Sequence, residues 1–288
     1  MKTVGGFTSE NARTRFLTDY GRALDRRWPG RSTVDVPTEF GTTRVYTCGP
    51  DDGVPAVLLP GAGGNALMWH RYVSELGRHR RVIAVDPVGD PGGSTQDRPI
   101  DGAEHMSQWL GEVLTGLDVR RAHFIGCSYG GWTALQYAIR NPTAAASLTL
   151  LDPAGFGKVS GRFIAWVVLG GLAGLSPRPV RHRAAGWLRN ATLRDDDVMG
   201  LATAMMGFRR RLPVPPPLTD EELRQLTTPT LVLLGERSQL YDAAAVARRI
   251  RTLTSAEVAL VPGVGHDLPM NCPDRILDRT GAFLDQLR

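Results

Sequence analysis

The 288-residue chain is poor in cysteine, nearly devoid of lysine and without a long apolar run. Its three cysteines, Cys48, Cys127 and Cys272, are odd in number, widely spaced and free of CxxC or CxxH pairs. That pattern excludes a disulfide framework and a cysteine-based zinc site, and it fits a reducing, cytoplasmic setting. The longest apolar run, FIAWVVLGGLAGL at 163–175, has 13 residues and three glycines. Crossing a bilayer takes roughly 20 residues, so the run is expected to be a buried or ligand-facing helix, and no membrane partner is expected. The opening MKTVGGFTSENARTRF holds no continuous apolar stretch of the kind a secretory leader needs. No block of one charge occurs either. The net charge of +5 comes from 34 basic and 29 acidic residues spread along the chain, which makes nucleic acid a poor partner. Only Lys2 and Lys158 are lysines, and nothing in the sequence explains the preference for arginine.

What is present is ordinary globular composition, 42% hydrophobic and 22% charged, which excludes disordered and fibrous classes. The length suits one large domain, or a core domain carrying an insertion. After a helix capped near Ser9, the stretches STVDVPTEF and TTRVYTC, joined at Gly41, predict a hairpin. From Val54 onward VPAVLL, RVIAVD, RAHFIG, ASLTLLD, PTLVLLG and AEVALVPG are short apolar runs of the kind buried on both faces. Helical periods lie between them: Met106, Trp109, Leu110, Val113, Leu114 and Leu117 keep one face, and Leu67, Tyr72, Val73 and Leu76 do so less cleanly. The fold class is therefore α/β, a mostly parallel central sheet with helices on both faces. One interval breaks the alternation. About 75 residues separate Asp152 from Pro229, far more than a crossover helix needs, which predicts a covering insertion.

The run RAHFIG leads into Gly126-Cys127-Ser128-Tyr129-Gly130 and then a helical pattern. A Gly-x-Ser-x-Gly turn between strand and helix strains the serine and lifts its hydroxyl above the sheet edge. The pentapeptide alone could equally be a glycine-rich connection without chemistry, so its surroundings decide. Upstream, VPAVLL ends in Pro60-Gly61-Ala62-Gly63-Gly64, a turn able to aim the Ala62 N–H at the same point as the Tyr129 N–H. Two such donors make an oxyanion hole. Downstream, the last strand-like run is followed by VGHDLPM, which sets His266 in a loop beyond a strand end, where a general base for Ser128 belongs. His70, His105 and His182 fall in helix-like stretches, His79 near a helix end and His123 at a strand start, all positions suited to packing or surface.

With LLPGAGG, DPVGDPGGST, GCSYGG, LTLLDPAG, LVLLGE and GVGHDLP in this order, the chain resembles α/β-hydrolase-fold serine hydrolases from about residue 33 to its end. The resemblance implies a core formed by residues 1–154 and 226–288, with 155–225 as a helical cap that shapes the substrate pocket. It also implies an acid three residues after the glycine that ends the strand following the cap, where this chain has Ser238. A hydroxyl carries no charge to stabilise an imidazolium. Three carboxylates are candidates. Asp152 ends the strand after the serine's helix, the site some relatives such as haloalkane dehalogenases use, and is preferred. Glu236 lies one residue past Gly235, and Asp242 suits a helix cap. A second departure, Pro60 where many relatives have histidine, leaves a backbone oxyanion donor intact.

A serine nucleophile selects acyl transfer, so the expected activity is that of a carboxylesterase or thioesterase on a small hydrophobic compound, with no cofactor and no metal. Phe163, Trp166, Met199, Met205, Met206 and Phe208 are either an acyl pocket or the cap's own core. The Arg209–Arg211 run, with Arg178, Arg181 and Arg183, is either an anion-attracting patch or a solvated face. A ligand-binding or signalling protein on this fold, and a non-hydrolytic lyase, acyltransferase or cyclase, stay open as alternatives, as does a homodimer.

Overall fold

The apolar runs become strands because each offers a short stretch with no polar face to present to water. The computed structural model describes residues 4–287. In chain order its strands are β1 (Gly6–Phe7), β2 (Ser32–Thr38), β3 (Gly41–Cys48), β4 (Ala56–Leu59), β5 (Val82–Val85), β6 (Ala122–Cys127), β7 (Ala145–Leu151), β8 (Phe208–Arg209), β9 (Thr230–Gly235) and β10 (Glu257–Val261). Eight form one sheet in the order β10-β9-β7-β6-β4-β5-β3-β2, and β1 pairs with β8 in a two-residue antiparallel ribbon. Neighbours from β10 through β5 run parallel, while β3 is antiparallel to both β5 and β2. The hairpin at Gly41 has the form the sequence predicts. Gly41 sits at φ +132°, and a Cβ there would lie 2.2 Å from the Thr95 carbonyl oxygen, so both the backbone and the space demand glycine.

Side chains of β4 alternate between the two faces, as a strand's must. Val57 and Leu59 enter a core with Trp109 and Leu110 of the Ala103–Gly116 helix and Trp132 of the Ser128–Arg140 helix. Ala56 and Leu58 enter the opposite core with Phe16, Tyr20 and Leu24 of the Glu10–Arg27 helix. Ser9 caps that helix, its Oγ accepting the Ala12 N–H. Strands β4, β5, β6, β7 and β9 are buried throughout, whereas the edge strands β2 and β10 keep exposed positions. Leu67, Tyr72, Val73 and Leu76 do not share one helix. They fall in a 3₁₀ turn, Ala66–Trp69, a connecting residue and a single α turn, Val73–Leu76, and all four are buried, which is what their spacing reported.

Strand β5 lies on one side of β4 and β6 on the other, so the chain changes direction there and leaves a crevice beyond the carboxyl ends of β4 and β6. The interval between β7 and β9 holds the Gly161–Gly174 and Arg178–Leu188 helices, a 3₁₀ turn, three shorter α-helices and β8. Its last part returns to the core, where Leu212, Leu218, Leu223 and Leu226 join the cluster around Val57. The 163–175 run, expected to be buried or ligand-facing, has one face on a cavity and the other in water. The Gly161–Gly174 helix turns Phe163 and Trp166 inward, but Ile164, Val168 and Leu172 are exposed, because the helix is an outer layer with nothing packed over it. Among the described residues no helix is long and apolar enough to cross a membrane.

Candidate active site

Ser128 begins the helix that follows β6 with φ +48°, a left-handed backbone that a β-carbon makes costly. Glycines make the turn sterically feasible. A Cβ at Gly130 would come within 2.2 Å of the Leu59 carbonyl oxygen, and one at Gly126 within 2.6 Å of the Gly130 carbonyl oxygen. The Ser128 carbonyl accepts the Ala154 N–H at 3.0 Å, tying the turn to the residues after β7.

His266, in the loop after β10, has Nε2 3.1 Å from Ser128 Oγ. Its Nδ1 lies 2.6 Å from Asp152 Oδ2, a separation in which the N–H donates to the carboxylate. Holding Nδ1 as the donor leaves Nε2 as the acceptor for the serine proton. The loop is fixed by the His266 N–H, which donates to Gln239 Oε1 at 2.9 Å. Phe163 and Trp166 stand edge-on to the imidazole with centroids 4.9 and 5.8 Å away, shielding it from water.

Asp152 is fully buried with φ +44°. Besides His266 it accepts the Gly235 N–H on Oδ1 at 3.2 Å and the Ser238 hydroxyl on Oδ2 at 2.5 Å. Ser238 Oγ in turn accepts the Leu240 N–H, which orients its own proton toward the carboxylate. The other candidate acids are occupied elsewhere. Exposed Glu236 accepts the Gly263 N–H at 2.8 Å, and Asp242 caps the Ala243–Leu253 helix through the Ala245 N–H.

The turn after β4 abuts the serine: a Cβ at Gly61 would sit 3.5 Å from Ser128 Cβ. Gly64 N–H closes the turn on the Gly61 carbonyl, and Gly63 adopts φ +73°. The Gly63 N–H donates to Asp90 Oδ1 at 3.0 Å. No partner for the Ala62 N–H is found among the described residues, and Tyr129 lies in the first helical turn, where N–H groups lack an intrahelical acceptor. Behind this turn Asp86, at the end of β5, accepts Tyr20 Oη–H and Ala66 N–H on Oδ1 and Gly93 N–H on Oδ2. Burial raises the Asp86 and Asp90 carboxyls above their ordinary range.

A cavity of about 720 Å³ opens above Ser128 and His266. Five of the seven methionines line it, Met68, Met199, Met205, Met206 and Met270, together with Phe163 and Trp166. Phe208, read from the sequence as lining such a pocket or packing in the cap's own core, packs edge-on against Phe7 in the β1–β8 ribbon. The arginine run is not a free patch: Arg210 Nε donates to buried Asp90 at 2.6 Å and its guanidinium lies 4.5 Å over the Tyr129 ring. Arg178 and Arg181 both pair with Asp196.

Three features escape the sequence reading. His70 Nε2 pairs with Asp195 Oδ2 at 2.9 Å, both buried, linking the core to the insertion. Asp267, next to His266, accepts the Thr192 N–H at 2.7 Å and its hydroxyl at 3.0 Å, a second link of the same kind. Burial pushes the Asp267 carboxyl up to about 6. Asn190 lines the cavity with Oδ1 buried and unpartnered. The HD pair in GVGHDLP was the one available signal for Asp267. The His70–Asp195 contact joins residues 125 positions apart, beyond any local pattern.

Comparison with known proteins agrees with the geometry. Residues 56–279 match the model of the alpha/beta hydrolase family. The chain is 29% identical to the uncharacterized carboxylesterase nap of Bacillus subtilis over 94% of its own length and 92% of that protein's. It is 25% identical to the carboxylesterase YbfK of the same organism, over 96% of each. Among solved structures it is similar to naproxen esterase (carboxylesterase NP) from Bacillus subtilis, with a TM-score of 0.85 and 27% identity over 96% of this chain and 99% of that one. This chain is therefore a hydrolase that belongs to the alpha/beta hydrolase family.

Proposed function

We propose that the protein hydrolyses a carboxylic ester of an apolar small molecule through an acyl-enzyme on Ser128. His266 Nε2 takes the hydroxyl proton as Ser128 Oγ attacks the ester carbonyl, and the carbonyl oxygen gains the negative charge of a tetrahedral intermediate. The N–H groups of Ala62 and Tyr129 receive that charge. As the intermediate collapses, the imidazolium returns its proton to the leaving alkoxide, which departs as the alcohol. Water then repeats the sequence on the acyl-enzyme, giving the acid and free Ser128. Asp152 holds the imidazole in the working tautomer and stabilises its cation. Residues 155–225 act as the cap, and the methionine-lined cavity takes the apolar part of the substrate.

The observation that carries this reading is the unbroken line from Ser128 Oγ through His266 to Asp152, at 3.1 and 2.6 Å, at the floor of an apolar cavity. The carboxylesterases among its relatives support an ester over a thioester. Ser238 gives no ground for a weakened site, since it donates to a carboxylate that is already beside the histidine. The test is turnover of p-nitrophenyl esters. Wild type is expected to release p-nitrophenolate, and Ser128→Ala to lose at least about 10³-fold while keeping its circular-dichroism spectrum. Equal turnover by the two proteins would sink the proposal.

A further inference from the structure

The outer surface of the insertion combines two properties seldom found together. Residues 153–194 contain no aspartate or glutamate but seven lysines and arginines. Arg178 and Arg181 share the single carboxylate of Asp196, and Lys158, Arg162, Arg183, Arg189 and Arg194 are exposed, with no carboxylate partner among the described residues. The same segment carries most of the large apolar side chains that are exposed among the described residues. Ile164, Val168 and Leu172 stand four residues apart on the Gly161–Gly174 helix, so they form one stripe, with Ile164 61% and Leu172 62% exposed. Leu175 extends it, and the adjacent Arg178–Leu188 helix adds Val180 and Trp187, the latter 74% exposed. Soluble proteins rarely leave so continuous an apolar face without a partner.

We infer that this face docks on an anionic lipid surface, lying on it rather than crossing it. Such a contact needs an apolar helix face ringed by cations and an aromatic anchor, and it makes no demand for a spanning length. The short 163–175 run, which rules out a span, therefore does not rule out this mode. Charge selects the occupant. A second copy seated face to face would bring five uncompensated cations against five, whereas anionic headgroups neutralise them. The helix that meets the lipid is also the one whose inner face, through Phe163, Trp166 and Gly170, lines the cavity above Ser128.

Flotation with vesicles reads this directly and does not depend on turnover. Vesicles of phosphatidylcholine alone are compared with equimolar phosphatidylcholine and phosphatidylglycerol. The wild-type protein is expected to float with the anionic vesicles and not with the neutral ones, and salt should release it. A triple variant, Ile164→Gln, Val168→Gln and Leu172→Gln, removes side chains that do not line the cavity. A second, Lys158→Gln, Arg162→Gln and Arg183→Gln, removes charge alone. Each is expected to lower partition on the order of 10²-fold, with an unchanged thermal midpoint showing that the fold persists. Three results would overturn the inference: no flotation of wild type with anionic vesicles, undiminished flotation of the apolar variant, or a solution dimer that the apolar variant splits into monomers.

Discussion

A hydroxyl at position 238 does what its chemistry allows: it supplies a proton to a carboxylate and cannot replace one. Asp152 takes three donors, from Gly235, Ser238 and His266, and this set satisfies both oxygens of a fully buried carboxyl group. Replacing Asp152 by Asn removes the charge but keeps the shape, so turnover is expected to fall about 10⁴-fold with the fold intact, as steady-state kinetics and circular dichroism would report. Glu236→Gln should stay near wild type, since its carboxylate only closes a turn with Gly263. If those two results were exchanged, Glu236 would be the working acid. Ser238→Ala leaves Asp152 one charge-assisted hydrogen bond short, and a loss of about tenfold in turnover is expected. The approach of His266 to Ser128 was legible in the sequence because both stand where strands end at one sheet edge. Asp152 also stands at the end of a strand on that edge, which is the ground on which it is preferred as the acid. The donor role of Ser238 was not, because a contact between residues 86 positions apart leaves no local mark.

At the scale of elements, two joints hold the chemistry in place. The turn around Ser128 fits only because Gly130 lets the helix start against β4. Gly130→Ala would drive a methyl into the Leu59 carbonyl, and a loss of about 3 kcal/mol or more in urea unfolding is expected, in line with overpacked cores. The second joint is Asp267 on Thr192, between the histidine loop and the insertion. Burial raises its pKa to about 6, above the value near 3.9 expected unfolded, so the folded state binds the proton more tightly. Its contribution is therefore complete below about pH 4 and is lost as pH rises through 6. Asp267→Asn keeps both bonding partners without a charge to bury. The variant should match wild type at pH 4 and exceed it by up to about 3 kcal/mol above pH 7. A stability difference independent of pH would contradict the assigned cause.

For the whole molecule, strand and helix alternation was enough to foretell the parallel sheet, since hydrophobic period is a local property. The arrangement of residues 152–229 was not, because it depends on packing against surfaces contributed from elsewhere. The Gly161–Gly174 helix shows the limit: its composition predicted a buried or ligand-facing helix, and while one face lines the cavity, its position as the outermost layer leaves the other in water. Phe208 shows the same limit, being drawn to Phe7 at the far end of the chain. The assembled parts define an apolar chamber with the Ser128 hydroxyl at its base. The most direct test is intact-protein mass spectrometry after brief exposure to an apolar p-nitrophenyl ester and acid quench. The account predicts one added acyl mass, mapped by peptide sequencing to Ser128, present in wild type and absent from Ser128→Ala. Ester cleavage at full rate with no acyl adduct at any time point, or an adduct on another residue that persists in Ser128→Ala, would contradict it.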